Sequence, residues 1–101
     1  MTLWFHAAAE AELVEAVAWY DQQRPGLGDA LAAEVRSTLD RIAEQPEAWH
    51  PLTPTTRRCQ TQRFPYGVVY QVRGDVILVL AVMHMRRRPG HWRDRRPPPN
   101  A

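Results

Sequence analysis

The sequence predicts an α+β domain built as an N-terminal strand, an antiparallel helical hairpin and a small antiparallel sheet, in the order β-α-α-β-β-β. Three observations point there. Two consecutive stretches of the first half carry apolar residues at three- and four-residue spacing. Three stretches of the second half are rich in β-branched and apolar residues and are bounded by turn formers. A chain of 101 residues can fill one hydrophobic core and leaves too little for a second. Residues 1–96 are therefore expected to form a single domain, and residues 97–101, "PPPNA", a disordered proline-rich tail too poor in apolar residues to fold.

Each element follows from its residues. "TLWFHA" alternates Leu3 and Phe5 against Trp4 and His6, the period of a short strand. From Ala7 to about Gln23 the chain is rich in Ala, Glu and Leu, and Leu13, Val17 and Tyr20 recur on one helical face. Pro25, Gly26 and Gly28 end that helix and permit a tight turn. Leu27, Leu31, Val35, Leu39 and Ile42 then mark a second amphipathic helix that stops before Pro46, and the short connection makes the two helices antiparallel. "PEAWHPLTPTT" has too many prolines for a helix or a central strand and reads as an internal linker. "RRCQTQRF", "YGVVYQVR" and "DVILVLAVMHM" read as three strands, the last two joined by a tight turn at Gly74-Asp75. The run "VILVLAV" does not alternate, so its strand should be central and covered at least partly on both faces, with the helical hairpin as the evident cover.

Charge is divided along the chain. Residues 1–56 hold three arginines against nine acids, and residues 57–96 hold ten arginines against Asp75 and Asp94. The second half is thus a basic surface suited to an anionic partner. Cys59 is the only cysteine, which excludes an internal disulfide and a thiolate metal cluster. His6, His50, His84 and His91 lack ligand-type spacing, so neither a metal nor another cofactor is expected. No apolar stretch is long enough to cross a bilayer, and the N-terminus has neither a basic start nor a signal-length apolar segment. A cytoplasmic protein with no membrane partner is the expectation.

Three segments, "ELVEAVAWYDQQRPGLGDALAAEV", "RFPYGVVYQV" and "ILVLAVMHMRRRPGHW", occur in this order and at this spacing. In them the chain resembles the RelE/ParE superfamily of toxins from type II toxin-antitoxin pairs, over nearly its whole length. The resemblance implies growth inhibition by the free chain and neutralisation by a cognate antitoxin. The antitoxin's disordered C-terminal part would fold onto the toxin, and operator DNA would be engaged only through it. Two activities remain open, because a shared fold does not choose between them: the RelE branch cleaves messenger RNA on the ribosome, and the ParE branch poisons DNA gyrase.

Metal-free RNA cleavage needs a base for the 2′-hydroxyl, cations for the phosphate and an acid for the leaving oxygen. Against the RelE pattern, Gly67 and Gln60 stand at basic positions, Arg58 and Arg86 match basic residues, and Trp92 stands near the terminal tyrosine with only an indole N–H to offer. Arg58, Arg63, His84, Arg86 and His91 are the candidates if the chain is a nuclease. The "FPY" before the third strand and the "H-x-x-R" after the fourth look more like the ParE branch, where charge and shape suffice. On that reading Arg63, His84, Arg86, Arg87, Arg88, Trp92 and Arg93 would meet the target, while Arg95 and Arg96, next to the tail, are expected to be mobile. A nucleic-acid-binding module without catalysis is a further alternative. Trp4, Trp19 and Tyr20 are the candidate antitoxin contacts: Trp19 lies off the stripe of the first helix and Trp4 alternates away from Phe5, and exposed aromatic residues mark partner surfaces.

Overall fold

The computed structural model describes residues 1–97, so the expected tail lies, apart from Pro97, outside the described residues. Strand β1 (Thr2–Phe5) leads into helices α1 (Ala7–Gln23) and α2 (Leu27–Glu44), followed by β2 (His50–Pro51), β3 (Arg57–Gln60), β4 (Tyr66–Arg73) and β5 (Val76–His84). The five strands form one sheet in the order β1-β5-β4-β3-β2.

The sheet is antiparallel from β2 to β5, as expected, and becomes mixed because β1 joins the edge of β5 in parallel, Thr2 opposite Val76 and Phe5 opposite Val79. A parallel partner requires a crossover, and the helical hairpin begins it. Two other boundaries differ from expectation. The proline-rich linker contributes the two-residue strand β2 at the sheet edge, where Pro51 is tolerated. Strand β3 stops at Gln60 instead of running on to Phe64, because Thr61 turns the chain: its hydroxyl donates to the Phe64 carbonyl at 2.6 Å and its N–H to the Tyr66 carbonyl at 2.9 Å.

Helix α1 starts at His6, whose Nδ1 accepts the Ala8 N–H at 3.0 Å and so fills one of the vacant donor positions at the helix start. It buries Ala9 and Ala16 fully and Leu13, Val17 and Tyr20 in part. Gly28 lies inside α2 rather than in the turn. A Cβ there would collide with the Val17 carbonyl and the Asp21 carboxylate, so its absence lets the two helices touch. Leu31, Val35, Leu39 and Ile42 of α2 are buried against Val68, Tyr70, Ile77 and Val79. Each such side chain contributes roughly 1.5–3 kcal/mol of hydrophobic stabilisation.

The opposite face of the sheet is covered by something other than the hairpin. Val69, Leu80, Ala81 and Met83 form a second cluster whose cover is Trp92, with Leu52 at its margin. A bulge at Leu80 makes this possible. Pairing passes from Val69–Ala81 to Tyr70–Val79, so Leu80 is the extra residue. It turns Leu80 and Ala81 toward the same face and leaves Val79 and Val82 facing the helices. The non-alternating run "VILVLAV" thus satisfies both faces.

Candidate functional site

Past His84 the chain folds back in short turns. The Arg87 N–H bonds the His84 carbonyl at 2.9 Å, the Arg93 N–H the Gly90 carbonyl at 2.9 Å, and the Arg95 N–H the Trp92 carbonyl at 3.0 Å. Gly90 has φ +80°, a left-handed conformation costly to any residue with a Cβ. These turns carry Trp92, 6% exposed, onto the outer face of the sheet.

Beyond the last pairing of β1, strand β5 has a free edge, and Glu12 of α1 closes it. Its Oε1 accepts the Val82 N–H at 3.1 Å, while Arg95 donates to Oε1 at 2.7 Å, to Oε2 at 2.9 Å and to the Leu80 carbonyl at 2.9 Å. His91 Nε2 lies 3.0 Å from Oε2. Burial alone would push the Glu12 carboxyl up, but the bonds from Arg95, His91 and the Val82 N–H hold it below the usual carboxylate range. Arg95, expected to be mobile, is therefore half-buried and locked by a bidentate contact.

Arg86, Arg87, Arg88, Arg93 and Arg96 are exposed at the turns, and none has a carboxylate within salt-bridge distance among the described residues. Trp92, expected at the contact surface, is a core residue instead, and the exposed Arg93 guanidinium stacks 5.3 Å from its ring. His91, a candidate acid or base on the nuclease alternative, is held against Glu12 with its side chain only 9% exposed. His84 Nδ1 accepts the Arg86 N–H at 3.1 Å, and its ring meets Tyr66 edge-on at 5.4 Å. Arg63 is exposed elsewhere, on a loop whose Gln62 and Arg63 N–H groups both bond Glu34 of α2 at 2.7 and 2.6 Å.

Arg58 lies half-buried on the outer face, its Cγ and Cδ crossing above Gly67, where an added Cβ would meet both at 3.0 Å. The residue that lacks a charge thus seats one that has it. Arg58, Arg87 and Arg93 line one cleft of about 150 Å³ with Leu52, Trp92 and Gly90.

A second concavity, of about 500 Å³, runs between α1 and the end of β5, lined by Glu12, Glu15, Trp19, Tyr66, His84 and Arg87 among others. Trp19, 54% exposed, begins an aromatic series. Its ring is 4.9 Å from Tyr20, which is 5.1 Å from Phe64 and 6.1 Å from Tyr66. Burial, then the neighbouring Tyr20, push the Tyr66 phenol above its ordinary value, so it stays a neutral donor. Trp4 does not join this series. It alternates away from Phe5, which packs on the helix-side core, and meets His6 instead, at 6.0 Å. Tyr66 and Glu12 were not singled out from the sequence. Tyr66 had a signal, its place at the head of "YGVVYQV"; Glu12, one acid among several on α1, had none.

The model of the family described as "ParE toxin of type II toxin-antitoxin system, parDE" matches residues 3–89. Toxin ParE2 of Mycobacterium tuberculosis, from strain CDC 1551 / Oshkosh and from strain ATCC 25618 / H37Rv, is 32% identical over 85 residues, 83% of this chain and 81% of the relative. A solved chain of the chromosomal ParDE TA system from P. aeruginosa superimposes with a TM-score of 0.71 at 18% identity, over 83% of this chain and 95% of that one, a likeness of fold.

Proposed function

Since this chain belongs to the ParE toxin family of type II toxin-antitoxin systems, we propose that it arrests growth by binding and poisoning DNA gyrase in the cytoplasm, and that a cognate antitoxin restrains it. The carrying observation is the row Arg86–Arg88, exposed, free of carboxylate partners among the described residues, and attached to an ordered strand end. Such a row supplies charge and shape to a protein–DNA target without proton transfer. Cleavage would need a free acid and base. His91 is committed to Glu12, and His84 already accepts the Arg86 N–H through its Nδ1. These features support the gyrase reading over RNA cleavage.

The antitoxin is assigned to the groove that Trp19 and Tyr20 open beside Tyr66 and His84. Its exposed aromatic wall suits a segment that folds on binding, and Trp4 is left out of the contact.

Expression of the chain alone should stop growth, induce the SOS response and cause filamentation while messenger RNA stays intact; co-expression of the antitoxin should restore growth. Purified gyrase with the chain should accumulate cleaved DNA. Codon-specific cuts in translated messages, with gyrase unaffected, would replace this reading by the nuclease one.

A further inference from the structure

We propose that the cleft between β3, the exit of β5 and the C-terminal turns is a phosphate site that grips one phosphodiester of a nucleic-acid backbone, with Arg58, Arg87 and Arg93 as its donors. The inference goes beyond the choice of target enzyme and holds for the toxin by itself.

Three arginines line this space of about 150 Å³ and no carboxylate does. Among the described residues no ion pair occupies any of the three guanidiniums; Arg93 has only the face of Trp92. Like charges gathered without a counter-ion repel one another, and an anion placed between them removes that cost while gaining charge-assisted, bidentate hydrogen bonds. At about 30 Å³ for each water displaced, the cleft has room for a tetrahedral oxyanion.

Two glycines build the site. Above Gly67 the stem of Arg58 lies so low that a Cβ would press on it at 3.0 Å, and at Gly90 a Cβ would stand 2.6 Å from Arg93 Nε. Each glycine therefore lets an arginine lie flat along the cleft wall. The apolar floor supplied by Trp92 and Leu52 excludes water from beneath the guanidiniums, which strengthens their field. A contact of this kind positions a backbone and carries no base information. It therefore differs from sequence-specific operator binding.

The test is fluorescence anisotropy of the full chain with labelled single-stranded and duplex oligonucleotides at about 50 mM salt, followed by a salt series, where non-specific dissociation constants are on the order of 10⁻⁴–10⁻⁶ M or tighter. Arg58→Gln and Arg93→Gln should each weaken binding about fivefold and lower the log–log salt slope by about one. Arg36→Gln on α2 and Arg24→Gln at the end of α1, both exposed and away from the cleft, should change affinity by less than about twofold. Gly67→Ala should reproduce most of the Arg58→Gln loss with no change in net charge, with circular dichroism confirming the fold. Equal losses at Arg36, Arg24 and the cleft arginines would overturn the site in favour of a diffuse field. Parental binding by Gly67→Ala would overturn the proposed seating. A chain that arrests growth yet retains no oligonucleotide would leave the cleft to an acidic protein segment and defeat the phosphate assignment. Binding without growth arrest would defeat the gyrase reading and leave the site standing.

Discussion

Glu12 and Arg95, 83 residues apart in the chain, meet in a two-pronged ion pair that fastens the C-terminal turns to the first helix. The same carboxylate caps the Val82 N–H at the free edge of β5. One side chain therefore serves the end of the sheet and the segment that covers its outer face.

Replacing Glu12 by Gln should lower the unfolding free energy at pH 7 by about 2 kcal/mol, since it weakens several charge-assisted bonds at once. The pH dependence has a definite sign. The folded-state pKa of Glu12 lies below the ordinary 4.5, so its stabilisation is full above that value and is lost as pH falls through the depressed one. Urea unfolding at neutral and acidic pH should show a smaller acid loss for Glu12→Gln than for the parent. Equal losses would mean that Glu12 is not the responsible carboxylate.

Arg86 and Arg95 should separate binding from folding. Arg86→Ala removes an exposed charge with no ion-pair partner among the described residues, so growth arrest should fall sharply while the melting temperature stays put. Arg95→Ala opens the clasp, and the melting temperature should drop by several degrees, about the effect of 1–2 kcal/mol in a domain of this size. Thermal melts beside growth assays decide both.

Trp92→Ala should destabilise the chain by about 3–5 kcal/mol, the usual result of emptying a buried aromatic site. Trp92→Phe should recover much of that stability and keep growth arrest. A stable Trp92→Ala chain without toxicity would return this residue to the contact surface.

Tyr70 donates its hydroxyl to the Pro46 carbonyl at 2.5 Å, and burial pushes its pKa up to about 12 from an ordinary 10.0. Its contribution is fully present below pH 10.0 and is lost as pH rises toward about 12. Absorbance titration of the phenols should show one late component that Tyr70→Phe removes, at a cost in stability of about 1 kcal/mol.

Trp19→Ala should weaken antitoxin binding at least about tenfold, as expected for an exposed aromatic anchor at a partner site, and leave growth arrest intact. Calorimetry with the purified antitoxin measures the first and an uninhibited culture assay the second.

Local pattern made the helices legible. Their spacing and the Pro46 stop reproduce the observed bounds, and the basic turns after β5 stand where the arginines predict them. What escaped was long-range. Nothing in "TLWFHA" announces a parallel partner near the other end of the chain, because strand pairing is decided by the crossover and not by composition. His91, Trp92 and Arg95 looked like one basic, aromatic cluster. Their separation into a clasp, Arg95 and His91 on Glu12, and a core residue, Trp92, goes with the Leu80 bulge, which an apolar run does not reveal. Gly67 read as the loss of a charge, and its physical effect, a seat for Arg58, depends on a neighbouring strand.

The parallel pairing of β1 with β5 also sets the timing of synthesis. Thr2–Phe5 leave the ribosome more than 70 residues before Val76–Val79, the strand they pair with among the described residues. A nascent chain halted anywhere before Val76 has no closed sheet, and one halted before Arg95 lacks its clasp. Long-range closure of this kind also slows folding relative to a meander of neighbours. Truncated products should thus be left unfolded and open to proteases, and the cell would meet the toxin only once β5 and the Arg95 clasp have been made.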